Sequence, residues 1–456
     1  MGKGKIGPFA VYKFLPKTNC KKCGEKTCMA FSSQLIEKKV KPRQCPHLKG
    51  RELKELEELL SPPVREIRIG ESLIGGEEVV YRHESTFFNE TSIIIDIHDE
   101  MDEAEIIKRT EFVNDFFHER IGTTLKLQGI SIRNKSGSVK QFEKCVELIS
   151  KTCKPSKNVI LCSWNFEALE TALETIWSRN MNPVIYAATK DNWEEVGKLA
   201  LKYKCPVVAF ADNDLSELKS VVNALLNLGV NDVITDPGSS FIVDTFTNLR
   251  RSAIEGERVL NCPILGIPMS IYLEGKEDSD MSEVLYASMM IAKYADMIIM
   301  HNMNMWALIP VLTMRQNIYT DPRKPVAVEA GLKAIGSPNS SSPVIMTTNF
   351  ALTYYTVASD LESANVNCHL LVIDTDGIAV DAAVAGKQLN ASKVQKAIED
   401  SGLESKVNDK VMIIPGLSAR ISGELEELSN WKIMIGPNDS SGLGKYIESE
   451  LLSSKA

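Results

Sequence analysis

Between Val64 and Asn317 short apolar, β-rich runs alternate with amphipathic stretches of helical period, and this alternation limits the fold more than any other feature. The runs are Val79–Tyr81, Ser92–Ile97, Leu125–Ile132, Asn158–Cys162, Pro183–Ala187, Pro206–Phe210, Asp232–Thr235, Ile264–Ile271 and Met297–Met300. Between them lie helix-like segments such as Met101–Phe117, Val139–Ser150, Phe166–Arg179, Trp193–Lys202, Asp214–Leu228, Thr245–Glu257 and Ser282–Tyr294. Strands joined through helices at intervals of roughly 25 to 35 residues must run parallel, because a hairpin turn cannot join parallel neighbours. About eight such units over some 250 residues suit a closed (β/α)8 TIM-like barrel, with an open doubly wound sheet as the alternative.

Two proline-rich stretches divide the 456 residues into three parts, as expected for a chain too long for one ordinary domain. Pro62-Pro63 ends a first part, 1–61, which has helical segments at Met29–Lys38 and Gly50–Leu60. The stretch Tyr319-Thr-Asp-Pro-Arg-Lys-Pro325 separates the barrel region, 62–318, from a third part, 326–456. There the strands read as Val344–Met346, Leu370–Ile373, Val411–Ile414 and Lys432–Ile435, each followed by a turn and a helical pattern. The third part is thus a small open α/β domain, whose ligands belong at the carboxyl ends of its strands. The α/β class therefore covers the second and third parts.

Cysteine marks the first part. Of ten cysteines, four fall in the pattern Cys20-x2-Cys23-x4-Cys28-x16-Cys45-Pro46, and the other six are scattered singly among apolar neighbours as small buried residues. Four thiolates with two short spacings and one distant partner suit a [4Fe–4S] cubane, which needs one sulfur per iron corner. Gly24 lets the backbone approach inorganic sulfide, and Pro46 follows the closing cysteine. A structural zinc site is the alternative, although zinc sites usually pair two Cys-x2-Cys knuckles. Lys21, Lys22, Lys26, Lys38, Lys39, Lys41, Arg43 and Lys49 surround the cluster, either as a solvated face or as a guide for a negative partner.

The whole-chain charge of −8 argues against nucleic-acid binding, and the 44% hydrophobic and 25% charged content is that of a soluble globular protein. The nearly uncharged stretch from Met297 to Met314 contains His301, Asn302 and Asn304 and reads as buried strand plus loop, so no membrane span is expected. No secretory signal is recognisable, which gives a cytoplasmic location as the expectation.

The segment Leu15-Pro-Lys-Thr-Asn-Cys20-Lys-Lys-Cys23-Gly-Glu-Lys-Thr-Cys28-Met-Ala-Phe31, closing with Cys45-Pro46-His47, resembles the iron–sulfur module of corrinoid iron–sulfur proteins. Electron-transfer subunits of membrane redox complexes carry a similar module, so an electron-transfer subunit without corrinoid is a second reading. Pro62-Pro-Val-Arg-Glu-Ile-Arg-Ile-Gly70 with Glu78-Val-Val-Tyr-Arg-His83 looks like the start of that family's barrel. Met346-Thr-Thr-Asn-Phe-Ala-Leu-Thr-Tyr-Tyr355 and Leu371-Val-Ile-Asp-Thr-Asp-Gly377 look like its corrinoid-binding domain. The chain is similar throughout to the large subunit of this family, whose archaeal members are gamma subunits of acetyl-CoA decarbonylase/synthase complexes. These residues do not separate the archaeal form from the bacterial one.

The resemblance implies a methyl carrier. Cobalt as Co(I) accepts a methyl group from a methylated tetrahydropterin or folate, with a methyltransferase partner, and delivers it to acetyl-CoA synthase. It further implies a heterodimer with a small corrinoid iron–sulfur subunit, and a cluster at Cys20, Cys23, Cys28 and Cys45 that restores cobalt after accidental oxidation. The cofactor then carries the chemistry, and no amino-acid nucleophile is required.

Cobalt-ligating histidine usually sits in an Asp-x-His-x-x-Gly motif, to which the nearest match, Cys45-Pro-His47-Leu-Lys-Gly50, lies in the wrong domain. His369 opens an apolar strand, so a base-off corrinoid without a histidine ligand is expected. The candidate corrinoid contacts are Thr347, Thr348, Asn349 and Thr353 after the first strand of the third part, Gly377, Ile378, Ala379 and Val380 after the second, and Gly416 and Gly436 after the next two. Short polar groups there suit corrin amides, with helix capping as the ordinary alternative for each. Glycines would let backbone approach a planar ring. Asp236-Pro-Gly238 and His301-Asn-Met-Asn304 fall where barrel active-site loops lie, and carry no assigned role.

Overall fold

The structure is a computed structural model that describes residues 6–453, apart from 82–83, 85–86, 88, 182, 239–241, 257–259, 274–277 and 321–324. The divider residues Asp321–Lys324, and Arg82 and His83 of the barrel-start motif, therefore lie outside the described residues. The chain forms two compact units, one of residues 1–117 with 125–320 and the other of 118–124 with 321–456.

The first unit carries the barrel. Its strands are β1 (Ser92–His98), β2 (Gly129–Arg133), β3 (Asn158–Cys162), β4 (Pro183–Ala188), β5 (Val207–Phe210), β6 (Val233–Asp236), β7 (Leu265–Gly266) and β8 (Met297–Met300). Neighbours from β8 through β1 to β6 pair in parallel, and β7 pairs with β8. A parallel bridge between Thr235 and Ile264 joins β6 to the residue before β7, so the ring is nearly closed. The open-sheet alternative is thereby excluded.

Strand side chains alternate between two cores. Ile93, Ile95, Ile130 and Ile132 pack outward against the helices. Ile94, Ile160, Val184, Val208, Ile234 and Ile299 fill the interior, where Ile67, Ile69 and Ile74 of a short antiparallel hairpin join them. Both faces of each strand are buried, which explains why the runs read as continuous rather than alternating.

Three details depart from the sequence expectation. Val79–Tyr81 forms no strand; Val79 is instead buried beside Phe87 and Tyr294. The stretch after β8 is not a loop throughout, because Met305–Tyr319 is a helix with Pro310 inside it. The run Leu125–Ile132 splits into a hairpin arm, Thr123–Lys126, and strand β2.

In the second unit, β9 (Gly331–Ile335), β10 (Val344–Thr348), β11 (Cys368–Ile373), β12 (Val411–Ile414) and β13 (Lys432–Ile435) form one sheet in the order β9-β11-β10-β12-β13. All pairings are parallel except that of β9, an edge strand the sequence reading missed. Val344 and Met346 pack with Val380, Val394 and Trp431 on one face, and Ile345 packs with Val357, Leu361 and Ile447 on the other. Helices therefore cover both faces. From β10 the chain steps to β11 and then crosses back to β12 on the opposite side, so the strand order reverses between β10 and β12. No described helix is long and apolar enough to cross a membrane.

Candidate functional site: a cysteine nest, a sheet-end cleft and a barrel mouth

The four cysteines lie on two short helices and the loops that lead into them. Cys28 opens the helix Cys28–Ile36, whose preceding Thr27 caps it by accepting from the Ala30 N–H at 3.0 Å. That position points the first helical amides and the positive end of the helix dipole toward the sulfur region. The Asn19 side chain accepts from the Cys28 N–H at 2.9 Å and ties the Cys20 loop to the helix. Lys17, Asn19 and Lys21 all have left-handed backbone, so the loop coils tightly around Cys20.

Cys45 closes the turn Pro42–Gln44 and is buried with Cys28 among Val11, Leu15, Phe31, Leu35, Leu48 and Leu56; Cys23 packs against the same nucleus. The Lys22 N–H directed at its sulfur holds the Cys20 thiol below its usual value, against the opposing effect of burial and with help from the Thr18 side chain and the Lys22 charge.

An iron–sulfur cluster fits this donor set. At Gly24, with φ +91°, a side chain would be strained, and the space its Cβ would take holds nothing within 4 Å. That opening beside Cys23 is what approach to inorganic sulfide requires. Among the described residues no group of three or more His, Cys, Asp or Glu side chains is gathered for a single metal ion. The remaining cysteines, Cys145, Cys153, Cys162, Cys205, Cys262 and Cys368, are buried thiols, pushed up by that burial.

At the β10/β12 reversal of the second unit the structure opens a cleft of about 300 Å³. Ligands of open α/β sheets bind at such reversals, because the helices that follow neighbouring strands diverge to opposite faces. Thr347 and Thr353 line it from β10 and the helix Ala351–Ser363, and Ala379 and Val380 line it from the start of the next helix. Leu352, Thr356, Pro415, Leu417, Asn438 and Asp439 also line it and escaped the sequence reading. Their signal was position: each lies in the loop or the first two helical turns after a parallel strand's carboxyl end.

Thr347 and Thr348 are fully buried, and neither hydroxyl has a partner among the described residues. An orphaned buried hydroxyl costs about 1–3 kcal/mol unless something supplies its hydrogen bond. Thr347 is one of the residues that line the cleft, and a ligand carrying amide groups, as a corrinoid does, would offer its hydroxyl a partner.

The other expected contacts have structural work. The Asn349 side chain accepts from the Thr375 N–H at 2.9 Å and the Gly377 N–H at 3.0 Å, and donates to Asp374 at 3.0 Å. It therefore clamps the loop after β11 rather than facing the cleft. Ile378 packs against the core below, and its carbonyl accepts from the Thr375 hydroxyl at 2.7 Å.

The glycines make room for protein. A Cβ at Gly377 would sit 2.9 Å from Pro325, one at Gly416 would sit 2.3 Å from the Asn438 side chain, and one at Gly436 would sit 2.9 Å from Ile413. Approach of a ring is not what these three positions need. His369 is buried at the foot of its strand, where Nε2 meets the Asn339 carbonyl at 3.1 Å.

The barrel's carboxyl end holds a larger cavity, of about 950 Å³. Asp236, at the end of β6, is buried and accepts from the Tyr186 hydroxyl at 3.0 Å and the Gly238 N–H at 2.9 Å. Burial pushes its carboxyl up to about 6, opposed by those two donors, with repulsion from Asp212 adding to the rise. Asp96 is buried too. Burial raises its carboxyl, but hydrogen bonds from His301 and Arg133, with the Arg133 charge, outweigh this and hold it below its ordinary value. Arg133 meets it through Nη2 at 2.9 Å and Nε at 3.2 Å, and His301 through Nδ1 at 3.2 Å.

A family model described as CO dehydrogenase/acetyl-CoA synthase delta subunit matches residues 66–447, and an Fe–S cluster model matches residues 15–47. The acetyl-CoA decarbonylase/synthase complex subunit gamma of Methanothermobacter thermautotrophicus is 43% identical over 451 residues, covering 96% of this chain and 97% of that relative. Subunit gamma 2 of the complex in Methanosarcina thermophila is 44% identical over 462 residues, covering 97% of this chain and 98% of its own. Among solved structures, dihydropteroate synthase from Thermus thermophilus with 4-aminobenzoate covers 56% of this chain and 97% of its own, at 15% identity and a TM-score of 0.36. The Fe–S match supports an iron–sulfur cofactor at the cysteine module. By its near full-length identity to these relatives, the chain belongs to the acetyl-CoA decarbonylase/synthase gamma-subunit family.

Proposed function

We infer that the chain is the corrinoid iron–sulfur methyl carrier of an acetyl-CoA (Wood–Ljungdahl) pathway. In this reading 1–61 carries a [4Fe–4S] cluster on Cys20, Cys23, Cys28 and Cys45, 62–318 is the barrel, and 326–456 holds a base-off corrinoid. The observation that carries it is the orphaned, buried Thr347 hydroxyl in the wall of the β10/β12 cleft. Thr347, Thr353, Ala379 and Val380 would hold the ring, with Leu352 and Leu417 as exposed apolar flanks. Thr348, Asn349, Gly377, Ile378, Gly416 and Gly436 would shape the loops beneath it.

When bound, a corrinoid supplies a nucleophilic cobalt centre that takes a methyl group from a methyl-tetrahydropterin or folate and gives it to acetyl-CoA synthase. The chain's own residues position and shield. Among the described residues lining the cleft none is a histidine, and His369 is engaged by Asn339. Both support a cobalt without a protein nitrogen ligand, which eases its reduction as axial-ligand changes do in haem. A macrocycle is larger than the ligands that clefts near about 300 Å³ enclose, so a second protein surface must cover the rest. The small subunit of a heterodimer suits that part, and a pterin or folate methyltransferase and acetyl-CoA synthase are the further partners.

Cys20→Ala separates the two cofactors. With cobalt reduced chemically, methyl transfer should proceed at the wild-type rate, whereas reactivation by a physiological electron donor should be abolished. Equal loss of both activities would refute this division.

A further inference from the structure

The cleft at the β10/β12 reversal has a charge character that the carrier reading does not use. No lysine, arginine or histidine is among the described residues that line it, whereas Asp381 and Asp439 both are. Both side chains are exposed. Hydrogen bonds from the Ser441 hydroxyl and N–H hold the Asp439 carboxyl below its ordinary value, so it stays ionised at neutral pH. Ser440, also in the lining, donates its hydroxyl to Asp360, so a third carboxylate backs the wall. Arg420, on the same turn as Leu417, donates instead to the Val384 carbonyl.

Strand ends that lead into helices ordinarily attract phosphate, through unpaired helix amides and open glycine backbone. Here both are taken up. Asp381 sits in the first turn of the helix Val380–Ala385, and Asp439 caps the turn that leads into the helix Leu443–Ser453. The first amide of the helix Ala351–Ser363 donates to the Val326 carbonyl at 2.8 Å. Gly377, Gly416 and Gly436 press against Pro325, Asn438 and Ile413. A ligand meets instead carboxylate oxygens and the buried, unpartnered Thr347 hydroxyl. Such a lining suits neutral amide N–H groups and repels anions.

We propose that this cleft selects corrinoids by the uncharged amides of the ring periphery and leaves the phosphate of the nucleotide tail outside. The inference rests on the carrier reading and adds a specificity to it. A corrinoid that lacks the tail then binds as well as a complete cobamide, whatever the lower base. A base-off cobalt has no bond to that tail to lose. Hydrolysis of a peripheral amide, by contrast, replaces two N–H donors with a negative charge, in a cleft that already holds Asp381 and Asp439.

The test uses the full-length chain with its small subunit, prepared without oxygen and dialysed to equilibrium against cobinamide, cobalamin and the separate b-, d- and e-monocarboxylates of cobalamin. Affinities for cobinamide and cobalamin should agree within about threefold. The isomer whose acid group enters the cleft should bind about tenfold more weakly than cobalamin, and added salt should narrow that gap. Asp381→Asn with Asp439→Asn should reduce it to about threefold or less. Both side chains are exposed and asparagine still caps a turn, so the double variant keeps the sheet core intact. Cobalamin bound tenfold or more tighter than cobinamide, all three acids bound like cobalamin, or a gap unchanged in the double variant would overturn the proposal. Those outcomes leave the carrier reading standing, whereas uptake of no corrinoid at all would refute that reading and this proposal with it.

Discussion

Asp236→Asn should stabilise the barrel, and only above mildly acidic pH. Burial raises the folded-state carboxyl to about 6, whereas in the unfolded chain it titrates near its ordinary value of about 4. Between those values the folded protein holds a proton that the unfolded chain has released, so stability falls as pH rises. The full difference is about 3 kcal/mol, present once the pH exceeds about 7 and absent below about 4. Asparagine keeps the shape, still accepts from the Gly238 N–H and can donate to the Tyr186 oxygen, but never ionises. Protection of β6 amides against hydrogen exchange, compared between variant and wild type from pH 5 to 8, isolates the barrel from the second unit. The variant's advantage should be about half its full size at pH 5 and approach about 3 kcal/mol at pH 8. An advantage independent of pH, or a variant less stable at pH 8, would refute the buried, cation-free carboxylate as described. A residue that destabilises its own fold at neutral pH is one that function retains.

Two further predictions concern the second unit. Thr347→Val should stabilise the corrinoid-free protein by about 1 kcal/mol, by removing an unsatisfied hydroxyl, yet weaken corrinoid retention roughly tenfold, as dialysis against cobamide would show. Asn349→Ala should destabilise that unit by about 3 kcal/mol by orphaning the Thr375 and Gly377 amides, which hydrogen exchange across Cys368–Ile373 would report.

The barrel was legible because its parallel strands are buried on both faces and stand out as compact apolar runs, while each intervening helix carries one apolar stripe. Where that contrast fails, the reading fails. Met305–Tyr319 is apolar without a clear stripe and contains Pro310, so nothing marked it as helical. Gly331–Ile335 is a short edge strand that is mostly half-buried, with an exposed Ala334, and lacks the signature of its parallel neighbours. Val79–Tyr81 had β-rich composition, but Val79 serves a side-chain cluster with Phe87 and Tyr294.

At the cleft, strand ends were readable and side-chain destinations were not. Thr347 and Asn349 are two residues apart with similar propensities, yet one reaches the cleft and the other clamps a loop. Gly416 and Gly436 show why glycine alone misleads. The close approach each permits is to the chain itself, which only the fold reveals. The apolar wall at Trp164, Tyr186 and Phe210 was equally hidden, because its members come from three neighbouring strands whose pairing spans the intervening helices.

Iron and cobalt counted together, on protein prepared without oxygen and loaded with a cobamide in the presence of its small subunit, test the carrier reading most directly. About four irons and one cobalt per chain are expected, with Cys20→Ala losing iron while keeping cobalt. Iron without cobalt would leave an electron-transfer subunit and contradict the account.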